Sequence, residues 1–313
     1  RSSTSGSTSD GKSALKRSWQ SRNGTMELRN RARTSRYKRS IGGWGFRAPT
    51  RGCFDSSRRQ KRVIYVCIPA HNEAPTVGVL LWKVRRVLGE FGRDYRLVVH
   101  DDASTDDTQE VLQRYKRSVP LTVLGSKERI GYSASVEKLL RHVVKEAPYP
   151  KRDCAVVLQG DFTEDPEDIV GLIRVLEGGA DIVAGAMEQG DHSLPRRVRL
   201  VRLLSRALLR GVVARAPVSD PLSGLRAYRV IVLKKALRDR PVEQRLLESE
   251  GWASNVELLG RLAPHARRIA ESPLGLRYDL QQRESRFKPL KTFMDLARLH
   301  GGTLWSAPET GTA

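Results

Sequence analysis

Short, uninterrupted apolar runs alternate with amphipathic segments along most of this chain of 313 residues, and no other feature constrains its fold as strongly. The first run, residues 63–68, is rich in β-branched side chains and stops at Pro69, and helical spacing of apolar residues follows over residues 76–91. Continuous apolar strands that alternate with helices are typical of a mainly parallel sheet that helices cover on both faces. The sequence therefore predicts an α/β fold in a single domain.

The same unit of strand and helix recurs further along the chain. We expect four more strands, at residues 95–100, 121–124, 154–158 and 182–184. Three more helices are expected at residues 105–117, 133–145 and 166–177. Because ligands of such sheets bind beyond the carboxyl ends of the strands, functional side chains are expected in the loops that follow the strands.

The loops after the first two strands are polar but contain no glycine. Residues 69–73 read PAHNE and residues 101–108 read DDASTDDT. A dinucleotide-binding Rossmann loop and a Walker phosphate loop both need glycines, so these two kinds of site are excluded. Strand-end carboxylates such as Asp101 and Asp102 can instead accept hydrogen bonds from ribose hydroxyls or from a base N–H. A second interpretation, as caps of the following helix, applies to Ser104, Thr105 and Asp106.

The loop after the fourth strand is dense in acids. Four carboxylates fall within seven residues: Asp161, Glu164, Asp165 and Glu167. Mg²⁺ and Mn²⁺ prefer carboxylate oxygens and can bridge to substrate phosphates. The alternative is a helix start, in which Asp165 is the cap, Pro166 the first residue and Glu167 a favourable charge in the first turn. This alternative does not account for Asp161, which is therefore the metal candidate.

Residues 1–62 differ from the rest of the chain in composition. They are crowded with Ser, Arg, Gly and Thr, show no helical or strand period, and hold much of the basic excess that gives the chain a formal charge of +21. We expect a disordered basic tail over residues 1–62, a folded domain over residues 63–300 and a second disordered tail over residues 301–313. An arm for nucleic acid or anionic lipid is the alternative for the first tail. Aromatic residues that could stack on bases are sparse there, so nucleic acid is not the expected partner.

Composition also bears on compartment and membrane topology. No run of residues approaches the roughly 20 apolar residues that a membrane-spanning helix needs. The three cysteines, Cys53, Cys67 and Cys154, have no CxxC spacing and are expected to be reduced thiols. We therefore expect a cytoplasmic protein whose membrane association, if any, is peripheral and at the cytosolic face.

Several ordered motifs resemble those of one enzyme family. Six segments are similar, in order, to the family motifs P-A-x-N-E, V-x-D-D-x-S-x-D-x-T, N-x-G-x-x-A, D-x-x-S-G-F-R-A-Y, E-L-L and R-x-x-G-x-S-K. These segments are residues 69–73, 99–108, 129–134, 219–228, 255–259 and 283–286. From about residue 63 to about residue 290, the chain thus resembles the family 2 inverting glycosyltransferases of GT-A fold, in particular the branch of the dolichyl-phosphate mannosyltransferases.

The resemblance implies a nucleotide-diphosphate sugar as donor and Mg²⁺ or Mn²⁺ as cofactor. It implies that the donor is bound by Pro69, Ala70, Glu73, Asp101, Asp102, Gly131 and Gly160. It also places the metal at Asp161, which is then a catalytic residue, and at Gln159. At Gln159 the sequence departs from the family's D-x-D, because an amide replaces the first carboxylate. A neutral oxygen binds a metal more weakly than a carboxylate does.

Two kinds of acceptor are compatible with transfer. A sugar hydroxyl would need a carboxylate to take its proton, and Asp220 is the catalytic candidate, although an Asp before Pro221 is also typical of a turn. A polyprenyl phosphate is already an anion and needs only arginines to hold it. We expect the lipid phosphate, because residues 196–215 predict a basic amphipathic helix that suits a membrane surface. The alternative for this helix is that it packs on the domain and exposes its arginine face to solvent. The expected acceptor-binding residues are Arg202, Ser205, Arg206, Ser223, Arg283, Ser285 and Arg286.

Two other classes of function are weighed against this one. A nucleotidyltransferase could use a strand-end carboxylate cluster, but no glycine-rich, lysine-containing phosphate loop lies near the first strand. The second class is a non-catalytic protein that binds nucleic acid through the basic tail. Such a protein should bind nucleic acid with a steep salt dependence and should have no affinity for a nucleotide sugar. The sequence does not set the oligomeric state.

Overall fold

The computed structural model describes residues 62–187, 218–238, 240–241, 243–275 and 294–297. The chain divides into two units, residues 1–58 and residues 59–313, and every described residue belongs to the second unit. Apart from Arg62, the two predicted tails lie outside the described residues, and the predicted domain bounds stay predictions.

The described part of the chain contains seven strands, six helices of at least eight residues and a short helical segment at residues 294–297. The strands are β1 (Val63–Ala70), β2 (Asp94–Asp101), β3 (Leu121–Gly125), β4 (Cys154–Val157), β5 (Ile182–Met187), β6 (Arg226–Arg229) and β7 (Ile269–Leu274). The helices are α1 (Ala74–Phe91), α2 (Thr108–Tyr115), α3 (Tyr132–Glu146), α4 (Asp168–Glu177), α5 (Val230–Leu237) and α6 (Trp252–Leu262). A short 3₁₀ helix, Ala263–His265, follows α6.

All seven strands belong to one sheet, in the order β3-β2-β1-β4-β6-β5-β7. β1 pairs in parallel with both β2 and β4, β2 pairs in parallel with β3, and β5 pairs in parallel with β7. β6 runs antiparallel between β4 and β5. The predicted α/β fold with a mainly parallel sheet is therefore confirmed.

Both faces of the central strands are buried. In β1, Ile64, Val66 and Ile68 pack in one apolar cluster with α1 and α4, while Tyr65 and Cys67 pack in another with α3, α5 and α6. Each fully buried side chain of this size contributes about 2 kcal/mol to folding. Because helices cover both faces, β1 needs apolar residues at every position, which explains the uninterrupted run in the sequence.

Helix α2 begins three residues later than predicted, at Thr108. The predicted caps Ser104 and Thr105 bond instead to Asn72 in the preceding loop. Asp106 accepts a hydrogen bond from the N–H of Thr108 at 3.1 Å, so this residue satisfies a free donor at the helix start. The cap residue is Asp107, so none of the three predicted residues is the cap, although Asp106 binds a donor of the first turn from one residue earlier.

The sequence pattern does not predict β6, β7, α5 or α6. β6 has four residues, too few to show a period, and it is the strand that runs against its neighbours. β7 contains Pro273 and lies at the edge of the sheet, where a residue without an N–H is tolerated. Both strands are therefore defined by tertiary pairing rather than by local sequence.

The described cysteines agree with the expectation of reduced thiols. Cys67 and Cys154 are buried and free. Burial raises the pKa of both thiols, to about 12 for Cys154, so both stay protonated near neutral pH. Cys53 lies outside the described residues.

The described residues form no helix with the length and hydropathy that crossing a membrane requires.

Candidate active site

The loops that follow β1, β2 and β4 meet at one edge of the sheet. β1 lies between β2 and β4, and Ala70 at its end lies opposite Asp101 at the end of β2. Because the three strands are parallel, their carboxyl ends point to the same edge. The two polar loops, residues 69–73 and 101–108, therefore lie beside the acidic loop after β4.

Hydrogen bonds between side chains and backbone join the first two loops. The N–H of Asn72 donates to Oγ of Ser104 at 2.9 Å, and the N–H of Thr105 donates to Oδ1 of Asn72 at 2.8 Å. The N–H of Glu73 donates to Oγ1 of Thr108 at 2.9 Å. Asn72 has a φ of 54°, a conformation that Asn adopts more readily than most residues. Many of the polar groups in these loops therefore fix the loop shape.

The carboxylates at the end of β2 are also held by backbone groups. Asp102 is 4% exposed, and its two oxygens accept hydrogen bonds from the N–H groups of Ile130 at 2.7 Å and Gly131 at 2.9 Å. Asp101 accepts the N–H of Ser104 at 3.1 Å. Asp102 thus ties the loop between β3 and α3 to the end of β2. Direct donor binding by Asp101 and Asp102 stays a prediction.

Gly131 and its neighbours contact a carboxylate that the sequence analysis did not single out. Gly131 has a φ of 91°, and a Cβ placed on it would lie 2.8 Å from Oε1 of Glu250. The same Glu250 oxygen accepts the Oγ hydrogen of Ser133 at 2.6 Å at the start of α3. The loop before α3 is therefore held from one side by Asp102 and from the other by Glu250. The role of Gly131 in donor binding stays a prediction.

The loop after β4 approaches the end of β1 closely. The hydroxyl of Thr76 donates to the carbonyl oxygen of Gly160 at 3.0 Å and lies 3.3 Å from Oε2 of Glu73, a carboxylate that is 5% exposed. A Cβ placed on Gly160 would lie 3.1 Å from the carbonyl oxygen of Pro69. Glu73 and Pro69, which are predicted to bind the donor, thus lie beside the acidic loop. Ala70, the last residue of β1, is 3% exposed.

The acidic loop turns sharply at Asp161. Asp161 is half-buried, and its Oδ1 accepts the N–H of Thr163 at 3.1 Å. Phe162, between them, has a φ of 64°, and the Nζ of Lys83 lies 5.8 Å from the centre of its ring. A bulky residue in the left-handed region costs about 1–2 kcal/mol, and such costs are typical of functional turns.

The oxygen atoms of this loop suit a hard divalent cation. The candidates are the carboxylate of Asp161, the side-chain amide oxygen of Gln159 and the hydroxyl of Thr163, which is buried and has no hydrogen-bond partner among the described residues. Oxygen ligands are those that Mg²⁺ and Mn²⁺ prefer. Across the described ranges, no three His, Cys, Asp or Glu side chains come together as a metal site. The described residues would therefore supply few charged ligands to such an ion.

Most of the remaining acids of the loop have structural partners. Asp165 accepts Nζ of Lys83 at 2.6 Å and the N–H of Glu167 at 3.0 Å. The expected assignment of Asp165 as the cap and Pro166 as the first helical residue is wrong, because Glu167 is the cap residue and α4 begins at Asp168. Asp165 still binds a backbone N–H just before the helix. Glu164, in contrast, turns inward and is 3% exposed.

Asp220 has the geometry of a turn residue. Its Oδ1 accepts the N–H of Leu222 at 3.2 Å, and its carbonyl oxygen accepts the N–H of Ser223 at 3.3 Å. Asp220 is half-buried, and Ser223 is 4% exposed. The turn interpretation is thus satisfied, and the roles of Asp220 as a base and of Ser223 in acceptor binding stay predictions.

A buried polar cluster next to this turn was not predicted. Arg226 is fully buried. One of its Nη atoms donates to the carbonyl oxygen of Asn255 and the other to that of Pro221, both at 2.5 Å. The hydroxyl of Tyr132 donates to Oδ1 of Asn255 at 3.2 Å, and burial raises the pKa of this tyrosine. The motifs around Arg226 and Asn255 were recognised in the sequence, but an arginine is so seldom buried that sequence alone gives little reason to place one in the core.

Several predicted acceptor residues lie outside the described residues. These are Arg202, Ser205 and Arg206, with the whole predicted basic helix at residues 196–215, and Arg283, Ser285 and Arg286. Their roles stay predictions.

Comparison of the sequence with known families and proteins gives a consistent result. Residues 65–237 match the family described as Glycosyl transferase family 2. The undecaprenyl-phosphate 4-deoxy-4-formamido-L-arabinose transferase of Edwardsiella ictaluri is 28% identical over 178 residues, which are 56% of this chain and 51% of that protein. The dolichol-phosphate mannosyltransferase of Pyrococcus furiosus is 29% identical over 175 residues, which are 55% of this chain and 47% of that protein. The chain thus spans about half the length of these two relatives.

Solved structures of similar fold include glucosyl-3-phosphoglycerate synthase from Mycobacterium tuberculosis. Its complex with Mn²⁺, UDP and glucosyl-3-phosphoglycerate has a TM-score of 0.53 and 22% identity, with 80% of this chain and 82% of that chain covered. Its complex with phosphoglyceric acid has a TM-score of 0.52 and 24% identity at the same coverage. These similarities concern the fold, and they agree with the predicted GT-A architecture.

Proposed function

Because the chain belongs to glycosyl transferase family 2, we propose that it transfers a sugar from a nucleotide-diphosphate sugar to a polyprenyl phosphate, with inversion at the sugar carbon. One observation carries this proposal. Within the segment that matches the family, the polar loops after β1 and β2 and the acidic loop after β4 meet at one edge of the sheet. Ligands of open α/β sheets bind at such an edge.

The donor half of the site would be formed by the first two loops. Glu73 and Asp101 lie at the strand ends, where a nucleoside would bind. Hydrogen bonds between and within the two loops fix the shape of these loops. Asp102 acts here by holding the N–H groups of Ile130 and Gly131, so that the loop before α3 closes the other side of the nucleoside pocket. Preformed polar walls of this kind lower the entropic cost of binding.

Asp161 and Gln159, with the Thr163 hydroxyl, would hold Mg²⁺ or Mn²⁺. When bound, the ion would neutralise the negative charge that develops on the departing diphosphate. The residues of the chain would supply the rest: the turn at Phe162 holds Asp161 through its hydrogen bond to the N–H of Thr163, and Gly160 keeps the loop against the end of β1. The mycobacterial enzyme of similar fold was crystallised with Mn²⁺ and UDP, which supports divalent metal use in this fold.

The acceptor proposal is supported by the names of the curated relatives. Both are transferases that use a polyprenyl phosphate, undecaprenyl or dolichol phosphate. A phosphate monoester is an anion near neutral pH, so the nucleophile needs cationic partners and no strong base. Asp220 holds a turn, which suits a positioning task better than proton abstraction. We propose Arg202 and Arg206 as the cationic partners, and peripheral contact with the cytosolic membrane face.

A screen of nucleotide sugars by thermal shift, with and without Mn²⁺, tests the donor half. A binder should raise the melting temperature, since a ligand at 100 times its Kd adds about 2.7 kcal/mol to stability. Nucleic acid serves as the comparison ligand. Salt-sensitive nucleic-acid binding with no response to any nucleotide sugar would reject the proposal.

We predict that Asp161→Asn removes most of the metal dependence of UDP or GDP binding, because it deletes the single carboxylate among the candidate metal ligands. Gln159→Asp should have the opposite effect, since it adds a second charged oxygen. Isothermal titration calorimetry of both variants, with and without Mn²⁺, measures this. Equal metal effects in wild type and in Asp161→Asn would contradict the assignment.

A further inference from the structure

Glu164 is buried inside the loop that carries the candidate metal ligands. It is 3% exposed, and its Oε2 accepts the backbone N–H of Gln159 at 3.0 Å. The side chain therefore folds back across the four residues that separate it from Gln159 and closes the loop from within. A carboxylate that accepts a backbone N–H forms a charge-assisted hydrogen bond, which is stronger than a neutral one. The position of Gln159 and Asp161 thus depends on Glu164.

The other side of Glu164 faces the turn that contains Asp220. A Cβ placed on Gly224 would lie 2.9 Å from Oε1 of Glu164 and 2.7 Å from Nε2 of Gln159, closer than a real Cβ can approach. Gly224 does not have a positive φ, so the backbone conformation does not demand glycine there. The requirement is one of space: the turn backbone contacts the ends of the Gln159 and Glu164 side chains.

A buried positive charge lies on the turn side of this contact. Arg226 donates to the carbonyl oxygen of Pro221, the residue after Asp220, and is fully buried. Burial raises the pKa of both Tyr132 and Tyr228, the negative charge of Glu164 raises both further and the positive charge of Arg226 lowers both, so the two charges lie near the same two phenols. In an interior of low dielectric constant, a buried carboxylate is tolerated when an opposite charge lies near it.

These contacts form one path from the donor side to the acceptor side of the site. It runs from the Gln159 backbone through the Glu164 carboxylate to Gly224, and Arg226, two residues further along the chain, donates to the carbonyl of Pro221. Every contact on the path is buried or half-buried. The path therefore fixes the separation between the loop at Asp161 and the turn at Asp220.

We propose that Glu164 is a positioning residue for transfer, which, by its contact with Gly224, sets the metal-binding loop against the acceptor-side turn. This inference rests on the proposed function. It gives Glu164 no contact with substrate. Its effect is on the alignment of the two reactants, where a displacement of roughly 1 Å costs up to about 100-fold in rate.

Gly224→Ala tests the proposal with little risk to the fold. The added methyl group meets only the far ends of two flexible side chains, so it should displace them without unfolding the chain. We expect kcat to fall about 10- to 100-fold while the Kd for UDP or GDP, measured without Mn²⁺, changes less than about threefold. Gly89→Ala, where a Cβ meets nothing within 4 Å, is the matched control and should keep wild-type kinetics. Unchanged kcat in Gly224→Ala, or a parallel loss of nucleotide affinity, would overturn the proposal.

Glu164→Gln and Glu164→Asp separate positioning from general stability. Glu164→Gln keeps the shape of the side chain and removes its charge. Glu164→Asp keeps the charge and shortens the side chain. Both should lower kcat and keep the nucleotide Kd measured without Mn²⁺. Rescue of kcat in Glu164→Asp by the extra methyl group of Gly224→Ala would be the clearest support, because that methyl group fills the space left by the shorter side chain. An additive loss in the double variant would count against the contact.

A measurement without turnover distinguishes failure of this inference from failure of the proposed function. The drop in melting temperature caused by Gly224→Ala should shrink when Glu164 is also changed to Ala, since one of the two clash partners has gone and only Gln159 remains. If no nucleotide sugar is transferred but this coupling is found, the contact stands and the proposed function fails. If the two changes are additive in melting temperature, the contact itself is wrong.

Discussion

Two glycines predicted from motifs, Gly131 and Gly160, are required for different physical reasons. Gly131 has a φ of 91°, which a residue with a side chain adopts only with strain. Gly160 lacks a positive φ. It is required because a Cβ on this residue would lie only 3.1 Å from the carbonyl oxygen of Pro69. The motif identified both residues, but the partners that explain them are distant in sequence and become visible only in the folded chain.

We predict that Gly160→Ala lowers the free energy of unfolding by about 1 kcal/mol, as moderate overpacking does. Its Cβ would lie 3.1 Å from a backbone oxygen at the end of β1, which moves less easily than a side chain. Urea unfolding followed by circular dichroism measures the change. Gly125→Ala, where a Cβ meets nothing within 4 Å, is the control and should not be destabilised. An equal effect of both changes would show that the close approach to Pro69 is unimportant.

Asp102 shows why a residue can be recognised and its task still be missed. Its position after a strand predicts a site residue, and it does lie at the site edge. Its two hydrogen-bond partners, Ile130 and Gly131, follow it by 28 and 29 residues, and no local pattern connects them. The sequence could therefore place Asp102 but could not show that its oxygens are engaged by a loop.

At the scale of single elements, helix α4 begins in an unusual concentration of acids. Asp165 and Glu167 precede it, and Asp168 is its first residue. Negative charge at a helix start is normally favourable. Here burial raises the pKa of Asp168 to about 6, with further upward contributions from the charges of Asp165 and Glu167, while the N–H of Gly275 and the charge of Lys83 act in the opposite direction.

This raised pKa predicts a pH dependence of stability. Between its ordinary pKa of 3.8 and about 6, Asp168 binds more protons in the folded chain than in the unfolded chain. Stability from this residue is therefore fully present below the unfolded pKa and is lost as the pH rises through about 6. Asp168→Asn should flatten this part of the curve. Its amide oxygen can still accept the N–H of Gly275, so the helix contact is kept.

Urea unfolding of wild type and Asp168→Asn at pH 4, 5, 6 and 7 measures this effect. The difference in stability between the two proteins should change in favour of the variant as the pH rises. Two parallel curves would show that the Asp168 carboxyl titrates alike in the folded and unfolded chains.

At the scale of the whole molecule, the sequence predicts those parts whose local pattern is forced by burial on both faces. The parallel strands β1, β2 and β4 carry such a pattern, and their order along the chain locates the site. The half of the sheet built from β5, β6 and β7 depends on pairing between segments far apart in sequence. The loops of the donor side were therefore found in advance, and the buried contacts around Arg226 were not.

We predict that residues 1–61 are dispensable for the donor site. The described loops that form this site all follow Arg62. A chain shortened to begin at residue 62 should bind UDP or GDP with Mn²⁺ as tightly as the full chain does, within about twofold. Calorimetry on both proteins checks this. A large loss of affinity in the shortened chain would assign the basic segment a role in donor binding.

The acceptor is the last question at this scale, and the two candidate classes predict opposite mutational patterns. If the acceptor is a polyprenyl phosphate, Arg202→Ala and Arg206→Ala should abolish transfer to lipid phosphate in vesicles and leave nucleotide binding intact. Asp220→Asn should then reduce transfer only modestly, because its Oδ1 keeps the hydrogen bond to Leu222 and no base is needed. Arg114→Ala, at a side chain that is 77% exposed on α2, controls for the loss of one surface charge.

A soluble sugar hydroxyl reverses this pattern, because its proton must be removed during transfer. Asp220→Asn would then stop turnover with the donor still bound, and the two arginine changes would be mild. Flotation of the chain without residues 1–61 on vesicles that contain anionic lipid provides an independent measurement. Failure to float would remove the membrane surface from the proposal, since the charge of the first segment could no longer account for binding, and would leave the hydroxyl acceptor as the better supported class.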